Sequence, residues 1–265
     1  PDRGYSQAAR TEPWACVAAS YNIHYRQSLR PHGIAWFIGS GLHSNRAFTL
    51  SRGFDHLSHP DIVILTDAPP TFAAWLKGRA AELGVEVVER NGLAPADYGA
   101  ALADIVACGA GSGEGVDDVI VFGPARGKLL AAAFCTLARG GVLNIVSDEP
   151  LPERAAVDTG WLHYDHVALV GARGSDIAAA YGPVRSMLRS GGRLWLLGAA
   201  GPMGQMHLQR AIDVGPRPSL IVATNRSSPR IHELQARFGS AAANHAIRLV
   251  CLTEEALGPE AFSDR

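Results

Sequence analysis

Short, mostly apolar runs recur along the chain, separated by longer amphipathic stretches. Ile34–Ile38, Ile62–Thr66, Val85–Val88, Asp118–Phe122, Val142–Val146 and Val167–Val170 are strand-length and do not alternate between apolar and polar positions. A strand of a parallel sheet covered on both faces has this pattern. Residues 14–30 set Trp14, Val17, Ala18, Tyr21 and Tyr25 on one side of a helix. A second helix is expected from about Asn45. Residues 71–83 carry Phe72, Trp75, Leu76, Ala80 and Leu83 at helical spacing, closed by Gly84 as a C-cap. An alanine-rich helix is expected between Asp118–Phe122 and Val142–Val146. Strands alternating with helices predict an α/β fold with a doubly wound parallel sheet of the Rossmann type, and six strands suffice for one dinucleotide-binding domain.

The pattern then starts again. RQSLRPHGIAWFIGSG from Arg26 matches RSMLRSGGRLWLLGAAG from Arg185: Arg26 with Arg185, Leu29 with Leu188, Arg30 with Arg189, Gly33 with Gly192, Trp36 with Trp195 and Gly39 with Gly198, all at one constant offset. DIVILTDAPP from Asp61 lies opposite SLIVATNRSS from Ser219. Such self-similarity marks a duplicated supersecondary unit. The second copy supplies Leu194–Leu197, Leu220–Thr224 and Arg248–Leu252, a partial βαβ unit of the same type. The expected division is a linker helix over residues 1–32 leading from a catalytic domain outside this sequence, a first dinucleotide-binding domain over 33–172, and a second, partial unit over 173–265. The start at Pro1 and the polar end are expected to belong to a longer protein.

Composition narrows the function classes. The 265 residues are 47% hydrophobic and 18% charged with a net charge of −1, an ordinary globular balance. The arginines are dispersed and lysine is confined to Lys77 and Lys128, so no basic field for nucleic acid or anionic membrane is expected. The apolar runs are too short to span a bilayer and no signal peptide is visible, which fits a cytoplasmic protein. The four cysteines, Cys16, Cys108, Cys135 and Cys251, are far apart and are expected to be buried, reduced thiols.

The second copy carries the chemistry most clearly. In GAAGPMG, Gly198, Gly201 and Gly204 directly follow a strand and open a helix. Glycines so placed permit a tight turn, close approach of backbone to a pyrophosphate, and close packing of helix on strand, while the helix start offers free N–H groups and a partial positive charge. The first position of the usual G-x-G-x-x-G reads Ala199. The residue that closes the next strand, about 20 residues beyond the last glycine, reads the adenosine ribose. Here it is Asn225, followed by Arg226, Ser227 and Ser228, a set suited to a 2′-phosphate and hence to NADP. In the first copy, GSGLHS gives Gly39 and Gly41, then Ser44 where the third glycine belongs, and Asp67 closes the next strand, a pattern that suits NAD. Gly123 ends the fourth strand beside the expected nicotinamide half. His163, Tyr164, Asp165 and His166, like His56 and His59, read as loop residues without a third metal ligand.

Glu12-Pro13-Trp14-Ala15-Cys16, then SYNIHYR and a glycine-turned strand, resemble the zinc-type medium-chain dehydrogenases, and within them the L-sorbose-1-phosphate reductase-like branch. DDVIVFGP, LARGGVLNIVS and HYDHVALVG resemble later strands of the same cofactor domain. GAAGPMGQMHLQRAI resembles the first cofactor turn of that superfamily, in its quinone-reductase variants. The resemblance implies hydride transfer between NAD or NADP and an alcohol, polyol or sugar-type carbonyl, with a small-molecule substrate. It also implies a zinc held mainly by a catalytic domain not contained here, which Glu12 can approach. A homo-oligomer stays open. The alternatives are a non-catalytic nucleotide-binding or regulatory module, and a Rossmann-type methyltransferase.

Overall fold

The computed structural model describes residues 11–21, 26–41, 47–106, 115–182, 187–253 and 256. They divide into two compact units, Tyr25–Pro183 and the pair Pro1–His24 with Val184–Arg265. The first unit is thus inserted in sequence between two parts of the second. The opening helix, α1 (Thr11–Ala19), groups with the second copy of the repeat.

Within Tyr25–Pro183, six strands form one all-parallel sheet: β1 (Ile34–Gly39), β2 (Ile62–Thr66), β3 (Glu86–Glu89), β4 (Val116–Phe122), β5 (Leu137–Val146) and β6 (Ala168–Ala172). Their order is β3-β2-β1-β4-β5-β6. The order reverses between β1 and β4, which makes this the doubly wound dinucleotide-type sheet with its switch point at those two strands. Alternate residues of β1 feed separate cores. Ala35 and Phe37 join Val63, Leu65, Phe72, Leu76 and Phe122, whereas Ile34, Trp36 and Ile38 join Ile64, Tyr98, Leu130 and Phe134. Both faces are therefore apolar, as the unbroken runs require. Helix α2 (Pro70–Leu83) buries Phe72, Leu76 and Ala80 and stops at the left-handed Gly84. Helices α3 (Tyr98–Val106), α4 (Gly127–Phe134) and α5 (Thr159–Tyr164) follow, so His163 and Tyr164 close a short helix, not a loop.

Two expected helices differ. The one predicted over residues 14–30 ends at Ala19, and residues 26–33 form turns. They are held by a pair of buried carboxylates at the start of β4. Arg26 pairs with Asp118 at 2.7 Å, and the Arg30 backbone N–H donates to the same Asp118 oxygen at 2.7 Å. Tyr181 donates to the other oxygen at 2.8 Å, while the Ile34 N–H donates to Asp117 at 3.0 Å. Gly33 is needed there because a Cβ would stand 2.6 Å from the Asp117 carboxylate. Burial pushes the Asp118 carboxyl up, against the pull of Arg26, and burial also pushes the Tyr181 phenol well up.

The helix predicted from Asn45 is absent from residues 47–61, and Asn45 itself lies outside the described residues. Phe48 and Leu50 stand two apart, an extended spacing, and both enter the core beside Phe54 and Phe122. The Thr49 N–H donates to the Ser175 carbonyl at 2.8 Å and the Ile177 N–H returns to Thr49 at 2.9 Å. Asp176 binds Ser51, and Arg52 binds the Ala178 and Tyr181 carbonyls. This strap, with the turn Ile177–Tyr181, packs into the core on one face of the sheet.

The other unit holds β7 (Arg193–Leu197), α6 (Pro202–Asp213), β8 (Leu220–Asn225), α7 (Ser228–Asn244) and β9 (Arg248–Thr253), with parallel strands in the order β7-β8-β9. Leu208, Ile212, Ile221, Ile231, Leu234 and Phe238 form its core. Helix α1 is tied to α6: the Tyr21 hydroxyl and His207 Nδ1 are 3.0 Å apart, and the Arg210 guanidinium lies 3.9 Å over the Tyr21 ring. The repeat persists at atomic detail. Trp36 Nε1 donates to Thr66 Oγ1 at 2.9 Å, and Trp195 Nε1 donates to Thr224 Oγ1 at 3.1 Å. Trp36 is fully buried under Tyr98, Leu130 and Phe134 on its face of the sheet, whereas Trp195 on β7 is 48% exposed and outside the core of its unit.

Cys16, Cys135 and Cys251 are free thiols as expected, but they are not buried. Cys16 and Cys135 are exposed and Cys251 is partly so, while Cys108 lies outside the described residues. Cys16 is on α1 and Cys135 caps the C-terminus of α4. Among the described residues, no helix is long and apolar enough to cross a membrane.

Candidate functional site

The strongest site geometry lies in the second copy. Strand β7 ends at Leu197, Gly198 turns the chain at φ +67°, and Gly201 caps α6 with Pro202 as its first residue. The Ala199 N–H donates to the Thr224 carbonyl at 3.0 Å, which fastens the turn to the end of β8. Gly204, one turn into the helix, packs directly on that turn. A Cβ there would stand 2.5 Å from the Gly198 carbonyl oxygen and 2.6 Å from Ala199 Cα, both backbone. The helix start carries no side-chain cap, since Gly201 has none to offer. With the Gly201 N–H closed on Gly198 and no N–H on Pro202, the N–H groups of Met203 and Gly204 and the positive end of the helix dipole are left to meet a ligand.

Next to this turn, Asn225 closes β8 half-buried, and Arg226 is exposed immediately after it. Ser227 caps α7, but its side chain makes no capping hydrogen bond. The second copy thus brings Gly198, Gly201, Gly204, Asn225 and Arg226 to adjoining strand ends, with polar groups available at both helix starts.

The first copy is arranged differently. Gly39 and Gly41 sit beside Gly123 across the switch point, where the Ser40 N–H donates to the Phe122 carbonyl at 3.1 Å. Ser44 lies outside the described residues. No helix follows over residues 47–61, and the helix after β4 is already capped: Glu153 accepts from the Gly127 N–H at 2.7 Å. Asp67 stands at the end of β2 with φ +47°, its two oxygens accepting from the Gly92 N–H at 3.0 and 3.2 Å. Among the described residues, the Asp67 carboxylate, the Ser40 and Gly123 N–H groups and the Gly127 N–H each have a partner within the unit.

Glu12 lies on α1 and accepts from Cys16 at 3.0 Å, one turn along the same helix. That hydrogen bond, followed by burial and the Glu12 charge, pushes the Cys16 thiol up, away from the thiolate form. Among the described residues no group of three His, Cys, Asp or Glu side chains is placed to hold a metal ion. Near α1, burial and then the Arg210 charge depress the His207 imidazole, and burial raises the Tyr21 phenol. Sequence reasoning missed two further residues. Gln205 Nε2 donates to the Ala200 carbonyl in the turn at 3.1 Å, and Arg237 of α7 donates to Gln205 Oε1 at 3.0 Å. A glutamine and an arginine on helices carry no signal of their own until the two helices are packed.

No protein-family model matches the sequence, and no curated protein matches it. Solved structures give slight likenesses. Benzyl alcohol dehydrogenase from Acinetobacter calcoaceticus is 14% identical, with a TM-score of 0.38, over 91% of this chain and 53% of that one. 2R,3R-butanediol dehydrogenase from Bacillus subtilis is 14% identical, with a TM-score of 0.32, over 95% and 59%. Haloferax mediterranei glucose dehydrogenase in complex with NADP, zinc and gluconolactone is 18% identical, with a TM-score of 0.30, over 64% and 44%. The chain spans at most 59% of the length of these structures. At such scores the fold rests on this chain's own strand order, and activity and ligands on its own site.

Proposed function

We propose that this chain is the cofactor-binding part of an NAD(P)-dependent oxidoreductase, that the turn Gly198–Gly204 is its pyrophosphate cradle, and that it prefers NADP(H). The observation that carries this reading is the combination at one strand edge of an uncapped helix start, a glycine whose Cβ would overlap the turn backbone, and Asn225-Arg226 at the adjoining strand end. Gly201 and Gly204 keep the backbone close and open, so that N–H groups of the first turn of α6 can meet the two phosphates. Asn225 removes the carboxylate that would repel a 2′-phosphate, and the exposed Arg226 supplies a cation to pair with it. The bound nicotinamide supplies the hydride chemistry, with an alcohol, polyol or sugar-type carbonyl as the substrate class. The described histidines, carboxylates and thiols of this chain do not converge into a zinc site. A zinc would need ligands from elsewhere, with Glu12 as the one contribution proposed from α1.

The first unit is read as a structural copy. The Asp67 carboxylate is engaged by Gly92, the helix after β4 is capped by Glu153, and residues 47–61 form no helix, which favours a non-binding role for Gly39, Gly41, Gly123 and Asp67. In the proposed division of labour, the unit Pro1–His24 with Val184–Arg265 serves the cofactor and the unit Tyr25–Pro183 is an inserted scaffold.

Arg226→Ala should weaken NADPH roughly ten- to a hundredfold, since a hydrogen bond to a charged group contributes about 1.5–3 kcal/mol, and should leave NADH nearly unchanged. Fluorescence titration of both cofactors measures it. Equal losses for the two, or none, would remove Arg226 from the 2′-phosphate.

A further inference from the structure

We infer that Gln205 is a positioning residue for the cradle, held in place by Arg237 of α7, and that the pair couples the α6–α7 packing to the shape of the phosphate-binding turn. This rests on the nucleotide reading of that turn. The turn Gly198–Gly204 has few internal ties: the Gly201 N–H closes on the Gly198 carbonyl at 3.0 Å, and Ala199 is fixed to β8. Ala200, between them, has a buried side chain, and its carbonyl accepts from Gln205 Nε2. That carbonyl orientation sets the plane of the Ala200–Gly201 peptide, whose N–H closes the turn on Gly198 and leads directly into the free N–H groups of α6.

Only a side chain with both a donor and an acceptor can make this bridge. Gln205 uses its amide N–H toward Ala200 and its amide oxygen toward the Arg237 guanidinium. Arg237 in turn lies 5.3 Å over the ring of Phe238, whose side chain is core. The chain of contacts therefore runs from the buried core through Phe238 and Arg237 to Gln205 and ends on the turn. A groove of about 610 Å³ opens along the same residues, bounded by Trp14, Met206, Gln209 and Phe238. Gln205 is partly accessible, so solvent competes for its amide unless Arg237 orients it.

Gln205→Glu separates positioning from packing. A glutamate keeps the size and strengthens the pair with Arg237, but it loses the donor to Ala200 and sets two oxygens against each other. In the full chain, two readouts apply: hydrogen exchange of the peptide spanning residues 198–205, and calorimetric titration with 2′,5′-ADP. The expected result is faster exchange in that peptide, an unchanged or higher melting temperature, and affinity for 2′,5′-ADP lower by roughly three- to tenfold, the value of one hydrogen bond. Arg237→Lys, which retains a donor toward Gln205, should restore most of what Arg237→Met loses. Unchanged exchange in Gln205→Glu overturns the positioning role, whatever the ligand does. Native chain that fails to bind 2′,5′-ADP overturns the nucleotide reading instead, and the exchange result then still decides the role of Gln205.

Discussion

Replacing Gly204 with valine should abolish dinucleotide binding while leaving the Tyr25–Pro183 unit folded. A Cβ at this position would lie 2.5 Å from the Gly198 oxygen, 2.6 Å from Ala199 Cα and 2.7 Å from the Ala199 oxygen. All three atoms are backbone of the cradle, so no rotamer change relieves the overlap. Helix α6 must back away from β7, and the N–H groups at its start move with it. Losing two charge-assisted contacts to a pyrophosphate costs more than about 3 kcal/mol, a loss above a hundredfold. Gly204→Ala should fall between valine and native, since overpacking by one methyl costs about 1–3 kcal/mol in stability and moves the helix less. Titration with NADPH, alongside a thermal melt, measures both. Native affinity in the valine variant would show that α6 and the turn do not form the cradle.

The second large effect concerns the scaffold. Asp118→Ala should destabilise the unit Tyr25–Pro183 by roughly 3–5 kcal/mol, the cost of removing one partner from a buried ion pair. Its carboxylate serves Arg26, the Arg30 N–H and Tyr181 at once, and alanine leaves all three without that acceptor. The Arg26 side chain is 22% exposed and can turn toward water, so the lower end of that range is expected. Urea denaturation followed by circular dichroism measures the change. A loss below about 1 kcal/mol would mean that the cluster contributes no more than an exposed pair. The same variant should bind NADPH as the native chain does, because Asp118 belongs to the inserted unit.

The strands were legible because a parallel sheet buried on both faces leaves apolar runs, as in β1, β2 and the Val119–Phe122 part of β4. The repeat was legible because Trp36 and Trp195 perform the same task, each donating to a threonine at the end of the next strand. Long-range polar contacts were not. Nothing local marks Asp118 as the residue that holds residues 26–30 in turns by binding Arg26 and the Arg30 N–H. The helix expected after Gly39 failed for a related reason: the partner of Thr49 is Ser175, far along the chain. In the candidate site, the glycines could be read from spacing, because their role is steric and local. Gln205 and Arg237 could not, because their meaning depends on the packing of α7 beside α6.

The most direct test is calorimetric titration of the purified chain with 2′,5′-ADP and with 5′-AMP, ligands that need only the adenosine half of a dinucleotide site. The account predicts binding of 2′,5′-ADP at least about tenfold tighter than 5′-AMP, with the difference lost in Arg226→Ala. Equal affinity for the two ligands, or a preference that survives Arg226→Ala, would contradict it.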